Sequence, residues 1–532
     1  MKRIHVASAT AVALIVLLAG AGEVQAQNAT VTLGSQKQFI RGFGGMSHAA
    51  WIGDMTAAER TLAFGNGDGQ LGFTILRIPV SDGAPDTLNV ATAKAALAAG
   101  AIVFATPWNP AGTYDTPQFP AYATHLINFV TFMKGQGVNL YSISVQNEPD
   151  FGAQAGWGSW TAAACHDFIV NFGSMIPTKL MSCESFSYNK TYYDPILNDP
   201  AALANTGVFG THLYGTAVNN YPYPLFDQKG GGKERWMTEH YTDSTTDADS
   251  WPNALGVATE MHHAMVDAQF NAYVWWYIVR SYGPIKAPGT VSKRGWCMAQ
   301  FSKFIRPGFN RVDATASPMS GVFLSAYKSA TDVVVVIVNT NTATASLNVS
   351  TSGSTISSYD RFTTSATKSL SNDGKVTATN ASLSITLDAQ SVTTLHGSGS
   401  PLAGTDAGVG AGGSPGAGGA TGTGGVTGSG GARATGGSTG SAGAMGSGGG
   451  PGSGGATGAR GAGGSGTGGL LMTGGDSGAG GDSKAGEVAM DGGCACRVCD
   501  QGSYPVPLAP SCVLGVLAVS LWRRRPNRRQ RP

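Results

Sequence analysis

Two glutamates stand where they could work together. Glu148 closes the run Ser144-Val145-Gln146-Asn147-Glu148-Pro149, and Glu239 closes Trp236-Met237-Thr238-Glu239 before His240. A pair of carboxyls flanking one bond is what acetal hydrolysis needs: one protonates the leaving oxygen while the other attacks or activates water. A single such glutamate is more often a salt-bridge partner. Two of them, with Asn147 beside one, make a stronger case. No His/Asp cluster with ligand spacing accompanies them, so the expected chemistry calls for no metal and no cofactor.

The elements that must position this pair recur at a regular beat. Short apolar or β-branched runs fall at 42–46, 73–80, 101–108, 140–148, 179–184, 208–213, 235–239 and 272–277. Segments of helical periodicity lie between them, including 122–133 and 254–266. Eight strand-plus-helix units predict a (β/α)8 TIM barrel, whose catalytic groups gather at the C-terminal strand ends, and the ends of strands four and seven lie nearly opposite across its mouth. A doubly wound sheet is the competing α/β fold, but it would carry a glycine-rich phosphate turn early in the chain, and none is visible. Beyond Pro307 the pattern becomes strands with turn residues, at 321–327, 332–339, 345–349, 357–363 and 382–395. This is the signature of a β-sandwich side domain. The strand-like 30–34 and 38–40 precede the barrel and are expected to pair into that sandwich.

Composition sets the outer limits. Of 532 residues 78 are glycine and only 12% are charged, and the glycines crowd into a Gly/Ala/Ser/Thr stretch with almost no large apolar side chains. Such a stretch cannot offset the entropy of ordering its backbone, so it reads as a disordered linker. A net charge of +2 argues against a nucleic-acid partner. Lys2 and Arg3, an apolar run and Val24-Gln25-Ala26 predict an export signal with Gln27 as the mature start; the run is too short to be a comfortable membrane anchor. At the other end Cys494, Cys496 and Cys499 precede a short apolar helix and a cluster of arginines. That order resembles the tails by which myxobacteria sort surface proteins, engaging membrane and sorting machinery. A zinc knuckle would need a fourth ligand, which is missing. The expected organisation is 1–26 signal, 27–41 N-terminal strands of the sandwich, 42–306 barrel, 307–397 sandwich, 398–493 linker and 494–532 tail, in a monomer. Cys165, Cys183 and Cys297 allow one bridge at most, and buried free thiols are expected.

Along roughly 370 residues the chain resembles glycoside hydrolase family 30, subfamily 8, the bacterial glucuronoxylanases. The likeness rests on Gly42-Phe43-Gly44-Gly45-Met46, Gln70-Leu71-Gly72-Phe73, Trp108-Asn109-Pro110, Val145-Gln146-Asn147-Glu148-Pro149-Asp150, Gly210-Thr211-His212-Leu213-Tyr214-Gly215, Trp236-Met237-Thr238-Glu239 and Tyr273-Val274-Trp275-Trp276-Tyr277. The resemblance implies a retaining hydrolase with Glu148 as acid/base and Glu239 as nucleophile, their carboxyls about 5 to 5.5 Å apart. Glu148 should then carry a raised pKa, and Arg77, at the end of strand two, is placed to keep Glu239 ionised. Asn147 resembles the family's asparagine on the sugar 2-OH. His212 and Tyr214 are supporting candidates behind the pair, and Trp108 and Trp276 offer flat faces to a sugar ring. For His212 a structural histidine, and for the tryptophans barrel packing, are the competing readings.

The same resemblance implies the substrate, a glucuronoxylan read through its 4-O-methylglucuronate branch. Tyr241, Ser244, Trp276, Arg280 and Tyr282 match the residues that bind the branch, and a guanidinium fork fits a carboxylate bidentately. Three departures stand out: Val279 replaces a frequent arginine, Phe151 a frequent tyrosine, and the loop 111–122 is shorter than the family's. An endoxylanase indifferent to the uronate, acting on linear xylan or arabinoxylan, is the alternative. A surface protein that binds polysaccharide without cutting it is the reading from another class.

Overall fold

The computed structural model describes residues 26–108, 118–152, 159–241 and 247–399. The export segment, the glycine-rich stretch from 400, the cysteine motif and its tail, Ser244, and most of the loop 111–122 lie outside the described residues.

The first strand, β1 (Gln27–Phe39), leads into eight parallel strands that close a barrel. These are β2 (Gly42–Met46), β3 (Ile75–Pro79), β4 (Ile102–Thr106), β5 (Ser142–Ser144), β6 (Lys179–Met181), β7 (Thr206–His212), β8 (Glu234–Glu239) and β9 (Ala272–Tyr277). Period-two alternation sorts the side chains. On β3, Ile75 joins an interior plug with Phe104, Met181, Val208, Trp236 and Val274. Leu76 and Ile78 turn outward into the larger core between strands and helices. Arg77, one step above Ile75, therefore returns to the interior at the mouth. Glycines let strands meet where a Cβ would collide: one on Gly44 would lie 1.8 Å from the Ile75 carbonyl oxygen.

The side domain continues the chain. After a short hairpin of β10 (Ile285–Lys286) and β11 (Thr290–Val291) come β12 (Asn310–Ala314), β13 (Val322–Lys328), β14 (Asp332–Asn339), β15 (Ala345–Ser352), β16 (Ser358–Thr364), β17 (Ser371–Thr377), β18 (Ser382–Leu387) and β19 (Ser391–Ser398). With β1 they form one continuous sheet ordered β17-β16-β19-β14-β13-β12-β1-β15-β18. Strands far apart in that order share a single core, since Tyr359 of β16 and Ile385 of β18 both pack in it, so the sheet is rolled over itself. The valine run of β14 explains how the domains join. Val333, Val335 and Ile337 enter the side core, while Val334, Val336 and Val338 face the barrel's outer core.

The expectation of free thiols fails for two of the three cysteines. Cys165 and Cys183 form a disulfide with Cα atoms 6.2 Å apart, and Cys297 alone stays free and buried. Cys165 lies on the helix Ala162–Phe172 and Cys183 two residues beyond the end of β6, and the fold brings these residues, 18 positions apart, face to face. The bridge fastens the chain just before Glu184. Closing a loop of that size is worth about 3 kcal/mol and suits an oxidising compartment.

Candidate active site

The mouth of the barrel gathers a buried cluster of charges, one from each of several strand ends. β3 supplies Arg77 and β4 supplies Thr106. The chain beyond β5 supplies Asn147 and Glu148, that beyond β6 supplies Glu184, β7 supplies His212, and β8 supplies Glu239. Regular pairing of β5 ends at Ser144, earlier than the run 140–148 suggests, because the next residues turn to present Glu148. The Glu148 N–H donates to the Glu184 carbonyl at 2.7 Å, and the Glu184 N–H to the Gln146 carbonyl at 2.8 Å. Glu148 itself has φ +42°, a left-handed conformation that costs a non-glycine residue on the order of 1 to 3 kcal/mol. The N–H groups of Phe151 and Gly152 close that turn onto the Glu148 carbonyl.

Two bulges aim the other side chains. In β8 Met237 pairs with Thr211 but Glu239 with His212, so Thr238 is an extra residue that returns Glu239 to the interior. In β9 Trp275 pairs opposite Gly45 and Tyr277 opposite Met46, which makes Trp276 the extra residue. Bulges beside active sites commonly re-aim a side chain in this way. Gly210 makes room as well: a Cβ there would lie 2.5 Å from the Met181 sulfur and 3.0 Å from the Glu184 side chain.

Arg77, wholly buried, is the hub. Its guanidinium donates to Glu239, to Asn147 Oδ1 at 2.7 Å, to Glu184 at 3.2 Å and to Thr106 at 3.0 Å. The Tyr214 hydroxyl donates to the second oxygen of Glu239 at 2.9 Å. Glu148 is served differently, by His212 Nδ1 at 2.7 Å. The nearest carboxylate oxygens of Glu148 and Glu239 lie within 4.8 Å of one another. Burial first, and then the negative Glu239, push Glu148 up to about 7 against the pull of His212 and Arg77. Burial opposes a charged His212, but Glu239, Glu148 and Glu184 outweigh it and raise the imidazole to about 9. Glu184 is also desolvated, yet Arg77 and His212 hold it down at about 2. One carboxyl is thus poised to give a proton while Glu184 beside it stays charged.

Around the cluster stand flat rings. Trp108, Trp276, Met46 and Tyr277 pack together, with Tyr241 and Tyr282 against them. The Arg77 guanidinium lies 4.6 Å over the Trp108 ring, and Tyr241 stacks on Tyr282 at 5.0 Å. Arg280 sits half-buried on the same rim, its guanidinium 5.2 Å over the Tyr277 ring. Phe151 stacks on Phe186, which in turn stacks on Tyr214. Of the sequence-derived candidates, Arg77, Trp108, Asn147, Glu148, His212, Tyr214, Glu239 and Trp276 meet at one mouth, with Tyr241, Arg280 and Tyr282 along its rim. Ser244 lies outside the described residues.

Sequence reasoning missed Glu184, Thr106 and the pair His48–Trp51, whose rings stack at 3.7 Å beside Trp108. Glu184 had a signal, since it ends the fifth predicted strand as Glu148 and Glu239 end theirs. Glu148, His212 and Glu239 could each offer one atom to a metal ion. His212 Nδ1 is engaged with Glu148 and one Glu239 oxygen with Arg77, and the buried guanidinium would repel a cation.

No family model matches the chain. Glucuronoxylanase XynC of Bacillus subtilis (strain 168) is 49% identical over 400 residues, covering 72% of this chain and 94% of that protein. The crystal structure of a GH30 endoxylanase from Clostridium papyrosolvens C71 superposes with a TM-score of 0.65 at 40% identity, over 70% of this chain and all of that one. Xyn30A of Clostridium acetobutylicum, a glycoside hydrolase family 30 subfamily 8 xylanase, gives 0.63 at 33% identity, over 70% of this chain and 99% of that one.

Proposed function

The chain belongs to subfamily 8 of glycoside hydrolase family 30, and from that premise we propose that it is a retaining endo-β-1,4-xylanase that cuts glucuronoxylan beside a uronate branch. One observation carries the mechanism. The oxygens of Glu148 and Glu239 approach within 4.8 Å, near the separation of about 5 to 5.5 Å that double displacement needs and well short of the ~6.5 to 9.5 Å of inverting enzymes.

In the first step Glu239 attacks the anomeric carbon while Glu148 gives its proton to the departing xylosyl oxygen. The glycosidic bond breaks and a glycosyl ester on Glu239 forms. In the second step Glu148, now ionised, takes a proton from water, whose oxygen displaces Glu239. Asn147 keeps its carbonyl on Arg77, and its buried amide nitrogen has no partner among the described residues, which leaves a donor for the sugar 2-OH. Trp108 and Trp276 supply stacking faces. Tyr214 supports the nucleophile and His212 the acid.

Arg280 grips the uronate, with Tyr241 and Tyr282 on the same rim; Ser244, which the resemblance also assigns to the branch, lies outside the described residues. Among the described residues no carboxylate pairs with its guanidinium, which leaves the fork available to a ligand. Arg280→Ala should lower kcat/KM on glucuronoxylan by roughly 10- to 100-fold, the worth of a charged hydrogen-bond pair, and change little on unbranched xylo-oligosaccharides. Mass spectrometry of the products reads reaction and branch dependence together, and equal loss on both substrates would remove the uronate from the assignment. Residues 1–26 are read as an export signal and 494–532 as a surface-sorting tail on a monomer. β1 begins at Gln27, next to the proposed cleavage point, and mass spectrometry of the secreted chain should find that start.

A further inference from the structure

We propose that Glu184 is a positioning residue that fixes the proton count of the catalytic pair, acting through His212 and Arg77; this rests on Glu148 being the acid/base. Three carboxylates, Glu148, Glu184 and Glu239, share the mouth with two cations, Arg77 and a doubly protonated His212. Arg77, Glu184 and His212 are fully buried, and Glu148 and Glu239 nearly so. With every carboxyl ionised the cluster would carry one uncompensated negative charge in a desolvated site, which is costly, so one carboxyl must hold a proton.

The donors decide which one. Glu184 receives Arg77 Nη2 at 3.2 Å and the Thr106 hydroxyl at 2.9 Å, and lies 3.6 Å from His212 Nε2. Glu239 receives Arg77 and the Tyr214 hydroxyl. Glu148 has only His212 Nδ1 as a side-chain donor among the described residues. The proton therefore rests on Glu148, the group that must donate it. Neighbouring ionisable groups leave the count unchanged. Burial, reinforced by Arg77, holds His48 down at about 3, and burial with Glu239 keeps the Tyr214 phenol well above its ordinary value. Asp150 is bonded instead to the Phe186 N–H at 2.9 Å.

Replacing Glu184 by glutamine removes one negative charge. The cluster is then neutral with Glu148 ionised, and because Glu148 releases its proton more readily than His212, Glu148 is the group that loses it. The test is the pH profile of kcat/KM on glucuronoxylan. In Glu184→Gln the basic limb should move at least about one pH unit lower, so that the loss is far larger near neutrality than in acid. On a dinitrophenyl xylobioside, whose leaving group needs no proton, that shift should vanish from the bond-breaking step. A profile lowered in height but unmoved, or moved to higher pH, would overturn the proposal. Should the variant not fold, a neutron structure of the wild-type protein near pH 6 decides. The expected state has deuterium on Glu148 and on both nitrogens of His212, with Glu184 bare; a deuterated Glu184 or a singly deuterated His212 refutes it. If Glu148→Gln keeps the wild-type basic limb on xylan, the acid/base reading has failed, whatever Glu184→Gln does.

Discussion

The two ends of β8 carry the same kind of ion pair and treat it in opposite ways. At the floor of the barrel Glu234 meets Arg41, which donates at 2.7 and 3.0 Å to its two oxygens. Trp236 Nε1 adds a bond at 2.9 Å, Tyr141 adds its hydroxyl, and Tyr141 in turn receives Lys179. One carboxylate is surrounded by donors alone. At the mouth, five residues on, Glu239 meets Arg77, but two further carboxylates share the space, and Asn147 Nδ2 has no hydrogen-bond partner among the described residues. The floor is a closed network that stabilises. The mouth keeps one more carboxyl than it has cations and an unused amide donor, the condition of a site waiting for a ligand and a proton transfer. An arginine–glutamate pair is thus uninformative by itself; what else faces the carboxylate separates scaffold from chemistry.

The largest expected effect breaks the mouth. Glu239→Gln should cost at least about 10^4-fold in kcat, the scale seen when a covalent nucleophile is removed. The same change removes one negative charge from the cluster, which Glu148 restores by releasing its proton, so the unfolding midpoint should change little. Kinetics and thermal melting of one preparation check both. A variant that loses activity and stability together would erase the distinction between the two ends.

Titration sharpens the comparison, because the two ends should respond to pH with opposite signs. Glu148 is pushed up to about 7, so kcat/KM should fall about tenfold per pH unit above that value as the acid is lost. A raised folded pKa also means that the native state binds this proton more tightly than the unfolded chain. Its stabilisation is full below the ordinary carboxylate range and lost as pH rises toward about 7. At the floor, burial is outweighed by Arg41, which holds Glu234 below its ordinary value. That stabilisation is present above the ordinary range and lost as pH falls. Unfolding free energies measured from about pH 3 to 8 should show the first slope disappear in Glu148→Gln while the second remains.

Much of this arrangement could be read from the chain. The eight barrel runs fall on β2 to β9, since each is a short, mostly apolar stretch that the barrel buries on both faces. The helix expected at 122–133 extends to Phe119–Gly135. What escaped has physical reasons. β17 reads Ser-Asn-Asp-Gly-Lys-Val-Thr, an edge strand with almost nothing to bury, so no alternation marks it. The run 382–395 divides into β18 and β19 at a turn where Gln390 takes φ +42°, a bend its residue types do not announce. Cys165 and Cys183 lie on different elements, and spacing alone does not bring them together. Glu184 escaped because its partners, Arg77 and His212, come from strands distant in sequence.

The smallest expected effect tests the floor. Glu234→Gln removes the charge but keeps the shape; the amide leaves one acceptor oxygen for Arg41, Tyr141 and Trp236, and the donors that faced the other oxygen turn to water. Arg41 is about a quarter exposed and Glu234 somewhat less, which places the pair between a surface bridge and a fully buried one. The cost should therefore be about 1 to 2 kcal/mol, well under the 3 to 5 of a broken buried pair. Because the strands carry Glu234 and Glu239 on one rigid ribbon, a shift at the floor could still reach the mouth. The closed network argues against it, since Trp236 and the plug residues above the pair are held by packing as well as by charge. Denaturation near pH 7 should show the loss, denaturation near pH 3 should show much less of it, and kcat should stay within about twofold of wild type. A tenfold fall in kcat would mean that the two ends are coupled, and that the floor belongs to the chemistry after all.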